Sequence, residues 1–325
     1  MSTRRLRTSP GSSSSATNGA PPSSASSERR PRRAEGLVTF PIQWSVACDA
    51  RAVLGESPVF DPRDGRVWWV DIKGCALWSY DPAHSLSRNW SLAGRVSCLA
   101  VPDRHWPSER CGAGSFLCAG DSGFAWLTVR GNSVTVEPIA HPEAHLPGNR
   151  FNDGTLAPDG RFFAASMDDS EKQAAGTLYA LTPEGEVQPL RSGYLVPNGP
   201  VFDPKGDAFF HNDSPHRITY RIPLNPDGTA GDAEPFHRFG AEDGYPDGMA
   251  IDEEGNLYIA LWDGGGIAVL SPEGERLGFL PLPTARVTAC AFHGENPRRL
   301  YATSASIGRP AENPYAGNLF EIDLL

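Results

Sequence analysis

Long apolar runs are missing from this 325-residue chain: none approaches the roughly 20 residues that a membrane helix needs, so no membrane partner is expected and the protein reads as soluble. Positive charge is in short supply, with 29 Lys and Arg against 39 Asp and Glu and a formal net charge of −10. Neutralising phosphates takes a basic face, so that balance excludes a nucleic-acid partner. The six cysteines (Cys48, Cys75, Cys98, Cys111, Cys118 and Cys290) show no C-x-x-C pair and no regular spacing, and the chain is too long for a disulfide-stapled miniprotein. Cys98, Cys118 and Cys290 lie in apolar stretches, which points to buried free thiols and a reducing compartment, the cytoplasm. Helical periodicity is absent over any useful length. So is G-x-S-x-G, the turn that presents a serine nucleophile, which argues against a serine esterase.

Turn formers and aromatics are plentiful instead, with 34 Gly, 30 Pro and 10% Phe, Trp and Tyr. Length alone admits one large all-β domain or two smaller ones. Residues 1–36 stand apart as a Ser-, Pro-, Ala- and Arg-rich segment with too few large apolar side chains to bury anything, so a disordered tail is expected. Arg4, Arg5 and Arg7 are followed by no apolar stretch of signal-peptide length, which sets aside a secretory or twin-arginine leader. An organelle transit peptide or an overlong start stays open beside the plain flexible tail.

Residues 37–325 are expected to fold as one domain. From Phe40 onward the chain repeats at a spacing of roughly 40–55 residues, the period of propeller blades. One element is an aromatic or β-branched strand after a Gly-containing turn: Arg66–Val70, Arg161–Ala165, Asp207–Phe210, Asn256–Ala260 and Arg299–Ala302, with Ser115–Cys118 filling the remaining slot less cleanly. The other is an alternating strand: Leu77–Asp81, Ala125–Val129, Leu178–Leu181, Ile218–Ile222, Ile267–Leu270 and Leu319–Asp323. Short period-2 strands between Gly, Pro and Asp turns read as antiparallel hairpins. Six such units predict an all-β fold, a six-bladed β-propeller, with a sandwich or double barrel as the alternative. The sixth repeat ends at its third strand, Asn318–Leu324, while Thr39–Val46 precedes the first repeat as a spare strand. Pairing the two would complete the last blade, cover its edge and close the ring.

Four of the turns share a further feature. Asp61-Pro-Arg-Asp-Gly65, Ala157-Pro-Asp-Gly160, Asp203-Pro-Lys-Gly206 and Asp252-Glu-Glu-Gly255 each have an oxygen-bearing side chain five residues upstream: Glu56, Asn152, Asn198 and Asp247. The same offset in the two weaker repeats gives Ser97 and Thr288. Innermost strands run beside the channel of a propeller, so these six positions would meet at one channel mouth. Asn-Asp-Gly and Asn-Gly are ordinary turn formers when met singly, but a fixed offset in separate repeats implies one structural position reused. Two carboxylates with amide oxygens suit a hard divalent cation, Ca²⁺ first. No Cys or His occupies the ring, as a soft-ligand zinc site would require, though Zn²⁺, Mn²⁺ or Mg²⁺ with open water positions stays possible.

Gly55-Glu-Ser-Pro-Val59, Asn149-Arg-Phe-Asn-Asp-Gly154, Pro197-Asn-Gly199 and Tyr245-Pro-Asp-Gly-Met249 resemble the marker motifs of the gluconolactonase/regucalcin (senescence-marker protein) family, and the likeness runs from about Val46 to the C-terminus. That resemblance implies a six-bladed propeller with one divalent cation in the channel, and usually hydrolysis of sugar lactones. It implies Glu56, Asn198 and Asp247 as metal ligands, Asn152 at the metal and on the substrate, Arg150 on the substrate's oxygens, and Asp247 as catalytic base. Such a cation would polarise the lactone carbonyl and make a nearby water more acidic, Asp247 would take the water's proton, and the Arg150 fork would bind hydroxyl or carboxylate oxygens. Two departures touch the pocket rim: Pro200 follows the Asn-Gly pair where many relatives have a bulkier aliphatic residue, and Asp168, Asp169 and Ser170 follow Met167 where some have a glutamate. The expected partner is a small sugar lactone, with no obligate protein partner evident. Alternatives are a calcium-binding regulatory protein, a broader esterase or phosphotriesterase, and a histidine base drawn from His141 and His145 or from His211 and His216.

Overall fold

The computed structural model describes residues 38–308 and 313–325; the expected tail, residues 1–36, lies outside them. Six four-stranded antiparallel sheets make up the described chain, in a propeller arrangement of six blades. Five blades are continuous in sequence, running from Gly55 to Ser91, Val96 to Ala140, Asn149 to Tyr194, Pro197 to Arg238 and Tyr245 to Pro281. The sixth takes its three inner strands from Val287 to Leu324 and its outer strand from Ile42–Cys48. Ile42 pairs with Leu324 and Val46 with Phe320, so the closing strand is the one expected, displaced toward Cys48. Trp44 anchors it, meeting Phe320 edge-on at 6.1 Å and Tyr315 at 5.7 Å. Helix among the described residues is limited to two single 3₁₀ turns, Ser108–Arg110 and Ala241–Asp243.

The second strand of each blade reads as a nearly unbroken apolar run because a neighbouring blade covers each of its faces. Along Arg66–Asp71, Val67 and Trp69 pack toward Tyr301 and Leu319 of the sixth blade, while Trp68 and Val70 pack toward Leu99 and Phe116 of the second. Phe162 and Phe163 divide in the same way between the second and fourth blades. Period-2 alternation of side chains thus feeds two cores at once. Among the described residues the buried apolar side chains form six clusters, one at each interface between adjacent blades. Burying side chains of this size stabilises by roughly 1.5–3 kcal/mol each, which holds the ring together without a central core. The axis is left open: a cavity of about 400 Å³ runs between the innermost strands, lined by Val59, Leu99, Thr155, Val201, Ile251 and Phe292 among others.

Candidate functional site at the channel mouth

Glu56, Ser97, Asn152, Asn198, Asp247 and Thr288 all lie on innermost strands, one per blade. Pairing with the second strand slips at the same place in every blade: between Glu56 and Val59, Val96 and Cys98, Phe151 and Gly154, Asn198 and Val201, Pro246 and Met249, and Val287 and Cys290. A β-bulge inserts an extra residue, bends the strand and re-aims its side chains. Six equivalent bulges therefore mark the end of the apolar channel with a polar ring. At Gly199 the bulge needs a positive φ of 52°, and Ser57 adopts nearly the same backbone, φ 50°, without glycine's freedom.

Only part of the ring is available for chemistry. The Thr288 hydroxyl donates to the Gly55 carbonyl at 2.5 Å and pairs with Thr303, so it joins the sixth blade to the first. Ser97 is buried with its hydroxyl unpartnered. Asn152 donates its amide to Asn198 Oδ1 at 2.6 Å and to the Pro197 carbonyl, while its own Oδ1 accepts from Arg150 at 2.7 Å. Asn198 in turn donates to Ser214 Oγ at 2.8 Å, which fixes its oxygen toward the ring. Asn212 donates to the main-chain carbonyl of Asp247 at 2.5 Å and so steadies that strand.

Among the described residues the acidic members have no cationic side chain in direct contact, and the charge of Arg150 only partly offsets their burial. Burial pushes the Glu56 carboxyl well above the ordinary range, and Asp247 and Asp153 add to the shift. Burial does the same to Asp247, with Asp153 adding to it. Among the described residues, neither Glu56 nor Asp247 forms an ion pair with Arg, Lys or His. Asp153 is a third acid, also raised by burial, whose two oxygens accept the N–H groups of Gly154 and Gly199 at 2.8 and 2.7 Å. It sits one residue beyond the repeated offset, in an Asn-Asp-Gly that reads as a turn, so the spacing does not single it out.

These residues fit a hard cation. The donors are all oxygens, the two ring carboxylates are buried and mutually repelling, and Asn198 presents an amide oxygen beside them. No three His, Cys, Asp or Glu side chains among the described residues form a ready-made ligand set, so such a site would be a mixed one of two carboxylates and amide oxygen.

Arg150 closes one side of the ring. Its side chain is 4% exposed, its Nε donates to Asp169 at 2.7 Å, and one terminal nitrogen donates to the Phe151 carbonyl and to Asn152. Of the residues after Met167, only Asp169 faces it. Asp168 accepts from the Ser170 hydroxyl at 2.7 Å and from the Lys172 and Gln173 N–H groups, bonds that hold its carboxyl down at about 2 and cap its own loop. The histidines are placed elsewhere. His141 and His145 are exposed. His211 is fully buried with neither ring nitrogen partnered, and His216 is 61% exposed and bonded to Asp213, so the two form no dyad.

Fold and ring together define a six-bladed propeller with an oxygen-lined site at one end of its channel. Residues 54–306 match the SMP-30/Gluconolactonase/LRE-like region, and the chain belongs to that family. It is 32% identical to a 6-deoxy-6-sulfogluconolactonase of Pseudomonas putida, over 83% of this chain and 90% of that protein. It is also 32% identical to regucalcin of Gallus gallus, again over 83% and 90% of the two chains. Among solved structures, a calcium-binding protein, regucalcin, from Agrobacterium tumefaciens superimposes with a TM-score of 0.80 at 28% identity, covering 89% of this chain and 96% of that one.

Proposed function

We propose that the protein is a divalent-cation-dependent hydrolase that opens a sugar lactone, an aldonolactone, to the aldonic acid. The observation that carries this reading is the buried pair Glu56 and Asp247, neither in an ion pair, in one ring with Asn198, Asn152 and the pinned Arg150. Glu56, Asn198 and Asp247 would hold the cation, with Asn152 alongside, and the lactonase and regucalcin relatives support both halves of the assignment. When bound, the cation supplies Lewis-acid polarisation of the lactone carbonyl and charge balance for the two acids.

The chain's own residues do the rest. Water attacks the carbonyl carbon and loses a proton to a carboxylate oxygen of Asp247. Collapse breaks the bond between the carbonyl carbon and the ring oxygen, which takes the proton and becomes the free hydroxyl of the acid. Arg150 and Asn152 would face the sugar hydroxyls, and these fixed polar groups suit a polyhydroxylated substrate better than an apolar ester.

The test is a panel of glucono-, xylono- and arabinonolactones, assayed with chelator and after addition of Ca²⁺, Zn²⁺, Mn²⁺ or Mg²⁺. Hydrolysis lost with chelator and restored by a cation supports the reading. Calorimetric binding of a cation with no turnover of any lactone refutes it and leaves a cation-binding regulatory protein.

A further inference from the structure

We propose that Asp169 is a positioning residue for Arg150, braced across a blade boundary by Arg95; the inference rests on the lactonase reading for its kinetic consequence. Asp169 follows the second strand of the third blade, Phe162–Asp168, and takes the Nε–H of Arg150 at 2.7 Å. From the second blade, one terminal nitrogen of Arg95 reaches both Asp169 oxygens at 2.9 Å, while its Nε meets Asp121 at 2.9 Å. Two arginines and two aspartates therefore alternate in one chain of bonds, Asp121 to Arg95 to Asp169 to Arg150, which continues through Asn152 to Asn198.

The arrangement answers a physical problem. Arg150 is a buried cation within the field of Glu56 and Asp247, and its charge favours the ionised form of both. Left free, the guanidinium would swing onto those carboxylates and neutralise them, occupying the place of a cation and disabling the base. Asp169 holds the Nε edge on the opposite side, which leaves a terminal nitrogen aimed at Asn152. Arg95 keeps Asp169 ionised and oriented: burial of that carboxyl is outweighed by Arg95 and then Arg150, which hold it below the usual range. Asp168 cannot take over, because its oxygens are committed to its own loop.

The experiment uses the full chain with its cation and D-glucono-δ-lactone. Asp169→Ala is expected to raise KM about tenfold with kcat changed less, the loss of one charge-assisted bond to a binding group. Asp169→Asn, which keeps an acceptor for Nε, is expected to recover part of that loss, and Arg95→Gln to shift KM in the same direction. In an Arg150→Gln background Asp169→Ala should have no further effect, whereas a merely structural role would give additive losses. An unchanged KM in Asp169→Ala, or additivity in the double variant, overturns the proposal. A second readout does not need activity: the Arg150 Nε–H resonance, assigned by its loss in Arg150→Lys, should exchange slowly in the parent and rapidly in Asp169→Ala. If the parent hydrolyses no lactone, the functional reading falls by itself, and Asp169 is judged on the resonance: fast exchange only in the variant sustains positioning, and unchanged exchange refutes it.

Discussion

His211 offers a quantitative check on how this structure treats a buried base. It is fully enclosed, its ring lies 4.4 Å from that of Tyr194, and neither nitrogen has a partner. Burial, helped by the charge of Arg191, lowers its pKa from 6.5 to about 3. The folded form therefore refuses a proton that the unfolded chain binds below pH 6.5. Stability from the neutral ring is present in full above pH 6.5 and drains away as pH falls toward 3, at about 1.4 kcal/mol per pH unit. The perturbation is His211→Leu, which keeps an apolar filler and removes the titration. Between pH 7.5 and pH 5.0 the parent should lose roughly 2 kcal/mol more than the variant, on the order of 4–8 °C in Tm for a domain of this size. Denaturant unfolding at the two pH values measures it. Taking the difference between pH values cancels the packing change, and it also cancels Glu56, Asp153 and Asp247, whose raised pKa values act with the opposite sign by favouring the fold as pH falls. Parallel pH curves for the two proteins would refute the assignment of a neutral, sealed histidine. The variant should also keep lactone kcat/KM within about twofold at pH 7.5, since a ring with no route to water cannot serve as general base; a hundredfold loss would reopen the histidine mechanism.

Three further outcomes follow from the same geometry. Asp247→Asn should reduce kcat by at least about a hundredfold while the protein stays folded, read by initial rates and circular dichroism. Saturating Ca²⁺ at about 100 times its Kd should stabilise the parent by about 2.7 kcal/mol, and a Glu56→Gln variant should show little of that shift in a thermal melt. Trp69→Ala, at the contact between the first and sixth blades, should cost about 3–5 kcal/mol in urea unfolding, because Trp69 is 1% exposed and packed against both neighbours of that interface.

The blades are legible in the sequence because each repeats the same local instruction, a Gly-bearing turn followed by a strand that is apolar on both faces. Ring closure is legible for a related reason: Leu319–Leu324 lacks an outer neighbour in its own repeat, and Ile42–Cys48 has no repeat to belong to. The environment of the site is less so. Asp153 hides inside a turn signature, and nothing local distinguishes Asp168 from Asp169 as the partner of Arg150. That choice is made by Arg95, 74 residues upstream, and by the N–H groups of Lys172 and Gln173, which claim Asp168 first.

A sixfold fold delivers the same bulged backbone position six times, so the chemistry is set by which residue each blade places there. Carboxylates occupy the first and fifth blades, amides the third and fourth, and hydroxyls the second and sixth. The sixth blade separates the two acids, and its Thr288 hydroxyl is spent on the Gly55 carbonyl rather than on either of them. Direct neighbours would share a proton and serve as one acid; under the proposed reading, separation by a blade would let both ionise when a cation is bound. The amides of the third and fourth blades are linked to each other and, through Asn152, to Arg150; under the proposed reading Asn198 would turn its oxygen to the cation while Asn152 and Arg150 would meet the substrate. On that reading Asp247 would serve both sides, as a cation ligand and as the base that faces the substrate.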